Sequence, residues 1–346
     1  MGNPSQKLKF GVWYDFRNPA QWKRPNDRVY REILDQIVWA DKAGFDNVWL
    51  SEHHFLEDGY SPSVLPIAAA IAGLTKDIRI GISVALIPFY NPVRFAEDAA
   101  TVDIISGGRF EFGGGAAYRV DEFDGFNIPI KERHGRTTEA FEIMRRLWEG
   151  ETLDFEGKYF RFKGIKLGPG PIQQPRPPMW GGGFARVALR RAARLADGYI
   201  GIGPMKPAYQ MYREALSEAG KPVEKARLAG GHFWMIASAD PEKSWEEAAD
   251  HVIYQLNCYA DWAEQAGMPA DFREKVVPKP RDRSELKKLG ILNVVDVSTA
   301  IEMIRAYAAE VPLTHYYSWT VPPGLPPSWI QPHLELFASK VIPAFR

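Results

Sequence analysis

The segment that decides the fold is Val48-Trp49-Leu50-Ser51-Glu52-His53-His54-Phe55. A short apolar run ends there in a carboxylate and two histidines. Ionisable side chains are costly at the end of a buried strand, but the carboxyl ends of strands are where (β/α)8 barrels do chemistry. Adjacent residues of an extended chain point to opposite faces. The pattern therefore predicts one histidine facing a pocket and one packing, which suits an acid/base imidazole better than a two-histidine metal chelate.

Strand-like and helix-like segments alternate along the whole sequence. The helical segments carry apolar residues at helical spacing, as in Val29, Ile33, Ile37 and Ala40. Eight strands separated by helices predict a parallel (β/α)8 TIM barrel, forming a single domain over residues 1–346. The predicted strands are 10–16, 47–51, 78–88, 110–115, 178–183, 199–203, 228–238 and 315–321.

A doubly wound open sheet is the alternative arrangement of such a pattern. It usually places a glycine-rich loop after the first strand. Here the first strand is followed by Asp15-Phe16-Arg17-Asn18-Pro19, which is not such a loop.

Two segments exceed what a plain barrel needs. Residues 151–177, after the fourth strand, contain Tyr159-Phe160-Arg161-Phe162, which alternates like a hairpin strand, and then Gly168-Pro169-Gly170-Pro171, which cannot be helical. Residues 255–292, after the seventh strand, form a second insertion. Long loops at the carboxyl end of a barrel are often lids, and a solvated surface insertion is the other interpretation.

Composition excludes several classes of function. Lys and Arg number 43, as do Asp and Glu, so no nucleic-acid-binding surface is indicated. A single cysteine, Cys258, rules out an internal disulfide and a multi-cysteine zinc site, and it fits a cytoplasmic protein. No apolar run approaches the ~18 residues that cross a bilayer. Residues 1–6 lack the apolar core of a secretion signal.

A second candidate site is the segment Trp180-Gly181-Gly182-Gly183-Phe184-Ala185-Arg186. A strand ends in glycines and a helix follows directly, so free backbone N–H groups could bind an anion close to the backbone. Arg186, in the first turn, could add charge. A tight strand-to-helix turn without a ligand is the alternative reading of the same glycines.

The fourth strand also ends in a glycine-rich segment, which runs from Gly113 to Arg119. Gly114, Gly115 and Ala116 would leave room for a flat ligand against the backbone. Arg119 is a further candidate phosphate or substrate contact. Arg109 precedes the strand, so we expect it at the opposite end of the barrel in a structural ion pair.

Histidine spacing does not favour a metal site. His53 and His54 are adjacent rather than one residue apart, His232 is predicted in mid-strand, and His315 at a strand start. We predict no catalytic metal. The Gly-x-Ser-x-Gly elbow of serine hydrolases is absent.

The sequence resembles the bacterial luciferase-like, flavin-dependent monooxygenases over most of its length. The match is densest from Ala43 to about Pro129. The segments that carry it are Phe45-Asp46-x-Val48-Trp49-Leu50-x-Glu52-His53-His54-Phe55, Pro92-Val93-Arg94-x-x-Glu97-Asp98, Gly108-Arg109-Phe110-x-Phe112-Gly113, and Pro178-x-Trp180-Gly181-Gly182-Gly183 with Ala192-Ala193-Arg194-Leu195-Ala196-Asp197-Gly198.

The resemblance implies a barrel enzyme that uses reduced FMN delivered by a separate flavin reductase. With O2 it would form a peroxyflavin that attacks a small, apolar organic substrate. His53 and His54 are the catalytic candidates: His53 matches the catalytic histidine and His54 its neighbour, for which a structural or supporting role is favoured. Gly182, Gly183 and Phe184 match phosphate contacts. A strained non-proline peptide bond is implied at Ser83-Val84, and a homodimer follows from family habit.

One departure concerns the cofactor. The luciferase α subunit has a cysteine and then an arginine beside the flavin, where this sequence has Gly115 and Ala116. An arginine that helps hold the phosphate is therefore missing, and Arg119 or Arg186 could replace it. Two alternatives stay open: a deazaflavin-dependent dehydrogenase on the same fold, and a non-catalytic flavin-binding subunit. The sequence does not name the substrate.

Overall fold

The computed structural model describes residues 7–346. These residues form thirteen strands: β1 Lys9–Tyr14, β2 Asn47–Leu50, β3 Arg79–Ile82, β4 Ala85–Leu86, β5 Phe110–Gly115, β6 Leu153–Glu156, β7 Arg161–Ile165, β8 Met179–Gly182, β9 Gly198–Ile200, β10 Leu228–Gly230, β11 Trp234–Ala237, β12 Leu292–Val295 and β13 Leu313–Trp319.

Twelve α-helices lie between and after these strands in the described part of the chain. They are α1 Asn26–Lys42, α2 Val64–Leu74, α3 Pro92–Ser106, α4 Val120–Gly125, α5 Arg133–Trp148, α6 Arg186–Leu195, α7 Lys206–Glu218, α8 Pro241–Gln265, α9 Ala270–Val276, α10 Arg283–Leu289, α11 Val297–Glu310 and α12 Pro327–Leu336.

Eight parallel strands close into a barrel, as predicted. Their order is β3-β2-β1-β13-β10-β9-β8-β5, and β4 extends the same ring beside β5. Pairing of Ile80 with Phe110 and of Gly81 with Glu111 joins β3 to β5 and completes the ring. An open doubly wound sheet would leave two free edges, so the alternative arrangement is excluded.

Local sequence explains where the helices form. Val29, Ile33, Ile37 and Ala40 are all buried on one face of α1, as their spacing requires. The α3 helix begins after Asn91, whose side chain accepts from two backbone N–H groups, and ends at a left-handed Gly107.

Two predicted strands are each divided in the structure. Segment 78–88 breaks at Ser83-Val84, whose peptide bond is cis, at the position that the resemblance implied for an unusual peptide bond. Segment 228–238 breaks after β10, because Gly231 packs directly on the Tyr317 carbonyl. Its second half, β11, leaves the barrel and pairs with β12. The prediction of His232 in mid-strand is therefore wrong, since it lies between two strands.

Both predicted insertions have defined structure. Residues 151–177 contain the antiparallel hairpin of β6 and β7. Residues 255–292 contain the end of α8, then α9 and α10, up to the start of β12. That segment supplies Leu256, Tyr259 and the residues 266–269 to the cavity described below. It covers a cavity, whereas its mobility as a lid stays a prediction.

Arg109 lies at the amino end of β5, as predicted, but the expected ion pair is wrong. Its guanidinium donates instead to backbone carbonyls at the ends of α2 and α3, and to that of Ile78. The side chain of Thr75 accepts one more hydrogen bond. A planar cation with five N–H donors suits a group of helix-terminal carbonyls that lack partners of their own.

No helix among residues 7–346 is both long enough and apolar enough to cross a bilayer. Residues 1–6, where we predicted the absence of a secretion signal, lie outside the described residues.

Candidate active site

A cavity of about 580 Å³ opens at the carboxyl ends of the barrel strands. His53 lines it from the end of β2, and Gly182 to Ala185 line it from the end of β8. The two strongest sequence signals therefore meet in one cavity. Its other polar lining residues include Ser51, Glu52, Tyr60, Ser83, Tyr118, Arg133, His134, Tyr259 and Tyr317.

The imidazole of His53 is held in one orientation by Glu122. Its Nδ1 lies 2.8 Å from Glu122 Oε1, and because a carboxylate only accepts, Nδ1 carries the proton. When the imidazole is neutral its lone pair therefore lies on Nε2, and no described residue hydrogen-bonds that atom. The rings of Tyr60 and Trp262 pack against the imidazole, with centroids 4.8 and 5.0 Å away.

Glu122, in α4, accepts hydrogen bonds from several groups at this end of the site. Besides His53, its Oε1 accepts from the backbone N–H of His54 at 2.9 Å and from Arg119 at 3.3 Å. Burial would raise the pKa of Glu122, but the hydrogen bond and charge of His53, the His54 amide and Arg119 hold it below its usual value. Glu122 is therefore an anion beside His53 at neutral pH.

His54 faces away from the cavity. Its Nε2 donates to Glu52 Oε1 at 2.6 Å, and its ring packs against Phe89 and Phe126. Glu52 also accepts from Tyr90 and from the backbone of Leu86. Each of the adjacent histidines thus has its own carboxylate, and His54 is placed to fix the loop rather than to contact a ligand.

One wall of the cavity consists of the glycine backbone at the ends of β5 and β8, with the side chain of Val84 between them. A Cβ atom added at Gly115 or at Gly182 would lie 2.7 Å from a methyl group of Val84. Both strand ends must therefore be glycine while Val84 stands between them. The result is a smooth apolar surface against which a flat ring system can lie.

The loop from Gly183 to Ala185 leads directly into α6. Gly183 has a φ of +119°, a conformation that favours glycine. Ala185 caps the helix without any side-chain hydrogen bond, and its carbonyl accepts from the N–H of Ala188, so the N–H groups of Arg186 and Val187 remain available. An anion in the cavity would meet these amides and the positive end of the helix dipole.

The predicted cofactor contacts are only partly brought together. Gly115, Ala116, Gly182, Gly183 and Phe184 line the cavity, but Gly114, Arg119 and Arg186 do not.

The three exceptions have other partners. Gly114 packs against Phe112 and Phe141. Arg119 is buried, donates to the His54 carbonyl at 2.8 Å, and stacks on Trp262. Arg186 is exposed and pairs with Glu214. Neither arginine side chain replaces the one missing at position 116.

Sequence reasoning missed several lining residues and Glu122. Tyr60 and Tyr259 hydrogen-bond each other at 2.8 Å above His53. A detectable signal existed only for Glu122, an acidic residue soon after a predicted strand end. Among residues 7–346, no group of three or more His, Cys, Asp or Glu is arranged to hold a metal.

Comparison of the sequence with known protein families identifies the family of this chain. The sequence model of the luciferase-like monooxygenase family matches residues 8–291. The chain belongs to the luciferase-like monooxygenase family. Its relatives include the oxygenase component of a flavin-dependent trigonelline monooxygenase from Acinetobacter baylyi, 30% identical over 333 residues, which are 92% of this chain and 90% of that protein.

The family also contains enzymes that use a deazaflavin. An F420-dependent glucose-6-phosphate dehydrogenase from Amycolatopsis mediterranei is 35% identical over 178 residues, which are 49% of this chain and 53% of that protein. Among solved structures, monooxygenase RslO1 from Streptomyces bottropensis is 25% identical with a TM-score of 0.82, over 98% of this chain and 100% of that one. Relatives of this family are thus oxidoreductases, with more than one type of flavin.

Proposed function

We propose that this protein is the oxygenase component of a two-component, FMN-dependent monooxygenase. The observation that carries the proposal is that His53 and the amides opening α6 line the same cavity. A nucleotide such as FMN has a reactive ring at one end and a phosphate at the other, so it needs these two features within one site. One relative over nearly the whole chain is named as the oxygenase component of a flavin-dependent monooxygenase.

The residues present fit a flavin nucleotide. Val84, between Gly115 and Gly182, would support the flat ring, and the loop from Gly183 to Ala185 would receive the phosphate. Reduced FMN, when bound, supplies the electrons with which O2 oxidises the substrate.

The chain itself supplies positioning and proton transfer. Glu122 orients His53 so that Nε2 can accept a proton from a group in the cavity or return it, and its negative charge stabilises the imidazolium formed. Trp13, Phe233 and Trp319 give the adjacent part of the cavity an apolar lining, which favours a small apolar substrate. The end of α8 and α9 also line this part of the cavity.

Partners follow from the same proposal. Free reduced FMN implies a separate reductase, as the name of the trigonelline enzyme's oxygenase component also indicates. The homodimer and the cytoplasmic location stay predictions.

The test is an anaerobic titration of the purified protein with reduced FMN and, in parallel, with reduced F420. We expect saturable binding of reduced FMN at micromolar concentrations, and weaker binding of F420. Absence of saturable binding of reduced FMN would count against the proposal.

A deazaflavin-dependent dehydrogenase is the second candidate. Two observations favour it. Sequence identity to the F420-dependent relative, 35% over its matched segment, is higher than the 30% to the trigonelline enzyme. The arginine that the resemblance implies beside the phosphate is also absent, because position 116 is alanine. Tighter binding of F420 than of FMN, with substrate oxidation that needs no O2, would select this candidate. A non-catalytic flavin-binding subunit is less consistent with the retained pair of His53 and Glu122.

A further inference from the structure

Arg191, on α6, is a buried cation without a counter-ion. Its exposed fraction is 3%, and no described residue accepts a hydrogen bond from Nε, Nη1 or Nη2. Burial lowers the pKa of Arg191 to about 10, so the group is still charged at neutral pH. Burying an unpaired charge costs several kcal/mol in proteins, so its retention points to a negatively charged partner that binds from outside the chain.

The surroundings of Arg191 place it behind the phosphate end of the cavity. Its guanidinium carbon lies 5.6 Å from the centre of the Phe141 ring, and Phe141 packs on Gly114 at the end of β5. Helical side chains lean towards the helix N-terminus, here the end of α6 that opens onto the cavity.

His134 connects Arg191 to the cavity. The imidazole lines the cavity, and its Nδ1 is buried without a partner. Burial, and then the charges of Arg133 and Arg191, lower the pKa of His134 to about 4. The ring is therefore neutral at pH 7 and has one N–H to donate. The guanidinium is covered by protein, so an anion in the cavity meets His134 first.

We propose that His134 and Arg191 together form the anion receptor of this cavity. His134 donates a hydrogen bond to the phosphate of the bound nucleotide, and Arg191 supplies the positive charge behind it. The inference deepens the proposed function and rests on it. It also accounts for Ala116, because the charge that an arginine there would bring comes instead from α6.

The other cations near the site are poorer candidates. Arg119 is held by Glu122 and by the His54 carbonyl, and Arg186 pairs with Glu214 at the surface. Arg133 lines the cavity but donates to the Ile130 carbonyl at 3.2 Å. Arg191 has no such competing acceptor among residues 7–346.

The experiment compares FMN with riboflavin, which has the same ring but no phosphate, on the wild type and on Arg191→Met. We expect wild type to bind FMN at least ~10-fold tighter than riboflavin, as one charge-assisted contact allows. Arg191→Met should lose most of that preference while binding riboflavin unchanged. Its ligand-free form should also melt at a higher temperature than wild type, because an unpaired buried charge has been removed.

The matched control is Arg190→Met on the same helix. Arg190 is exposed and ion-paired with Glu218, so its replacement should change neither the ratio of the two affinities nor, by more than a degree or two, the melting temperature. His134→Gln, which keeps an N–H donor but not the ring, should reduce the FMN preference in part. If Arg191→Met does not fold, an unchanged FMN preference in His134→Gln overturns the inference, and a reduced one supports it.

The outcomes separate the inference from the proposed function. An unchanged ratio in Arg191→Met, with normal FMN binding, overturns the receptor and leaves the function standing. If wild type binds neither FMN nor riboflavin, the function fails, and thermal shifts with inorganic phosphate then decide on the receptor. A larger shift in wild type than in Arg191→Met supports the receptor, and equal shifts overturn it.

Discussion

His53 and Glu122 form the pair on which the chemistry of the site depends. The Nδ1 contact fixes the ring so that Nε2 is the only free nitrogen. The sequence predicted His53 because an adjacent pair of histidines ends an apolar strand. It did not predict Glu122, which is separated from His53 by 69 residues and meets it only because the ends of β2 and β5 share one face of a barrel.

The first prediction at this scale concerns His53→Ala. Positioned proton transfer contributes ~10² to 10⁴-fold to a rate, so turnover with reduced FMN should fall by that order. The affinity for FMN should stay within about threefold of wild type, because the phosphate contacts lie on other strands. Stopped-flow turnover and anaerobic titration measure the two quantities. Normal turnover would show that His53 has been assigned the wrong role.

A second prediction concerns Glu122→Gln. The amide cannot support an imidazolium, and it leaves the buried Arg119 only the 3.5 Å contact with the exposed carboxylate of Asp121, so both turnover and stability should fall. Because the pKa of Glu122 is lowered in the folded state, its stabilising effect is present above the ordinary glutamate pKa and is lost as pH falls. The difference in unfolding free energy from wild type should therefore be largest near pH 7 and shrink below about pH 4. A difference independent of pH would contradict this account of the pair.

At the scale of elements, the ends of β5 and β8 are fitted to Val84. Gly182→Ala should destabilise the fold by about 1–3 kcal/mol, the usual result of overpacking, and weaken flavin binding. Val84→Ala in the same chain should restore most of the stability, since it removes the methyl group that lies 2.7 Å from the added Cβ atom.

The matched control for that experiment is Gly73→Ala. Gly73 lies within α2, where an added Cβ meets nothing within 4 Å, so the change should be neutral or stabilising by up to ~1 kcal/mol. Denaturant unfolding measures all three variants. Failure of Val84→Ala to rescue Gly182→Ala would show that the glycine is required for another reason.

Arg109 connects several elements at the opposite end of the barrel. Its guanidinium satisfies carbonyls at the ends of both α2 and α3. Arg109→Met should lower the unfolding free energy by about 2–4 kcal/mol, because several of these acceptors lose a charged donor. FMN affinity of the folded fraction should not change. A loss below ~0.5 kcal/mol would mean that water replaces the guanidinium at little cost.

The strands were predictable from the sequence where each strand coincides with one apolar segment. The prediction of strand boundaries failed where a strand ends inside an apolar segment, as at Gly231. That residue packs on the Tyr317 carbonyl, which is distant in the sequence, so no local pattern reveals the break. Arg191 was missed for a related reason. The exposed stripe of Arg186, Arg190 and Arg194 was visible in the sequence, whereas Arg191 occupies an apolar-face position between Ala188 and Leu195.

At the scale of the whole molecule, buried histidines make the fold sensitive to acid. Burial lowers the pKa of His134, His232 and His315 to about 4, and raises that of Asp15 to about 6. Burial also lowers the pKa of His251 and His333. Between pH 4 and 6.5 the unfolded chain thus binds at least three more protons on imidazoles, and the folded chain one more on Asp15. Stability should fall as the pH decreases through this window, with a net uptake of about two protons or more on unfolding.

Denaturant unfolding at several pH values measures this uptake as the slope of the unfolding free energy. His134→Gln should reduce it by about one proton. A stability that is flat or rises as pH falls from 6.5 to 4 would contradict the buried, neutral state of these histidines.

The central claim is that one nucleotide spans the cavity from His53 to the start of α6. A crystal structure of the protein with FMN bound tests it most directly. We expect electron density with the ring against Val84 and within reach of His53 Nε2, and with the phosphate on the amides that follow Gly183, near His134. Density for FMN in another part of the molecule, or with its phosphate beside His53, would contradict this claim.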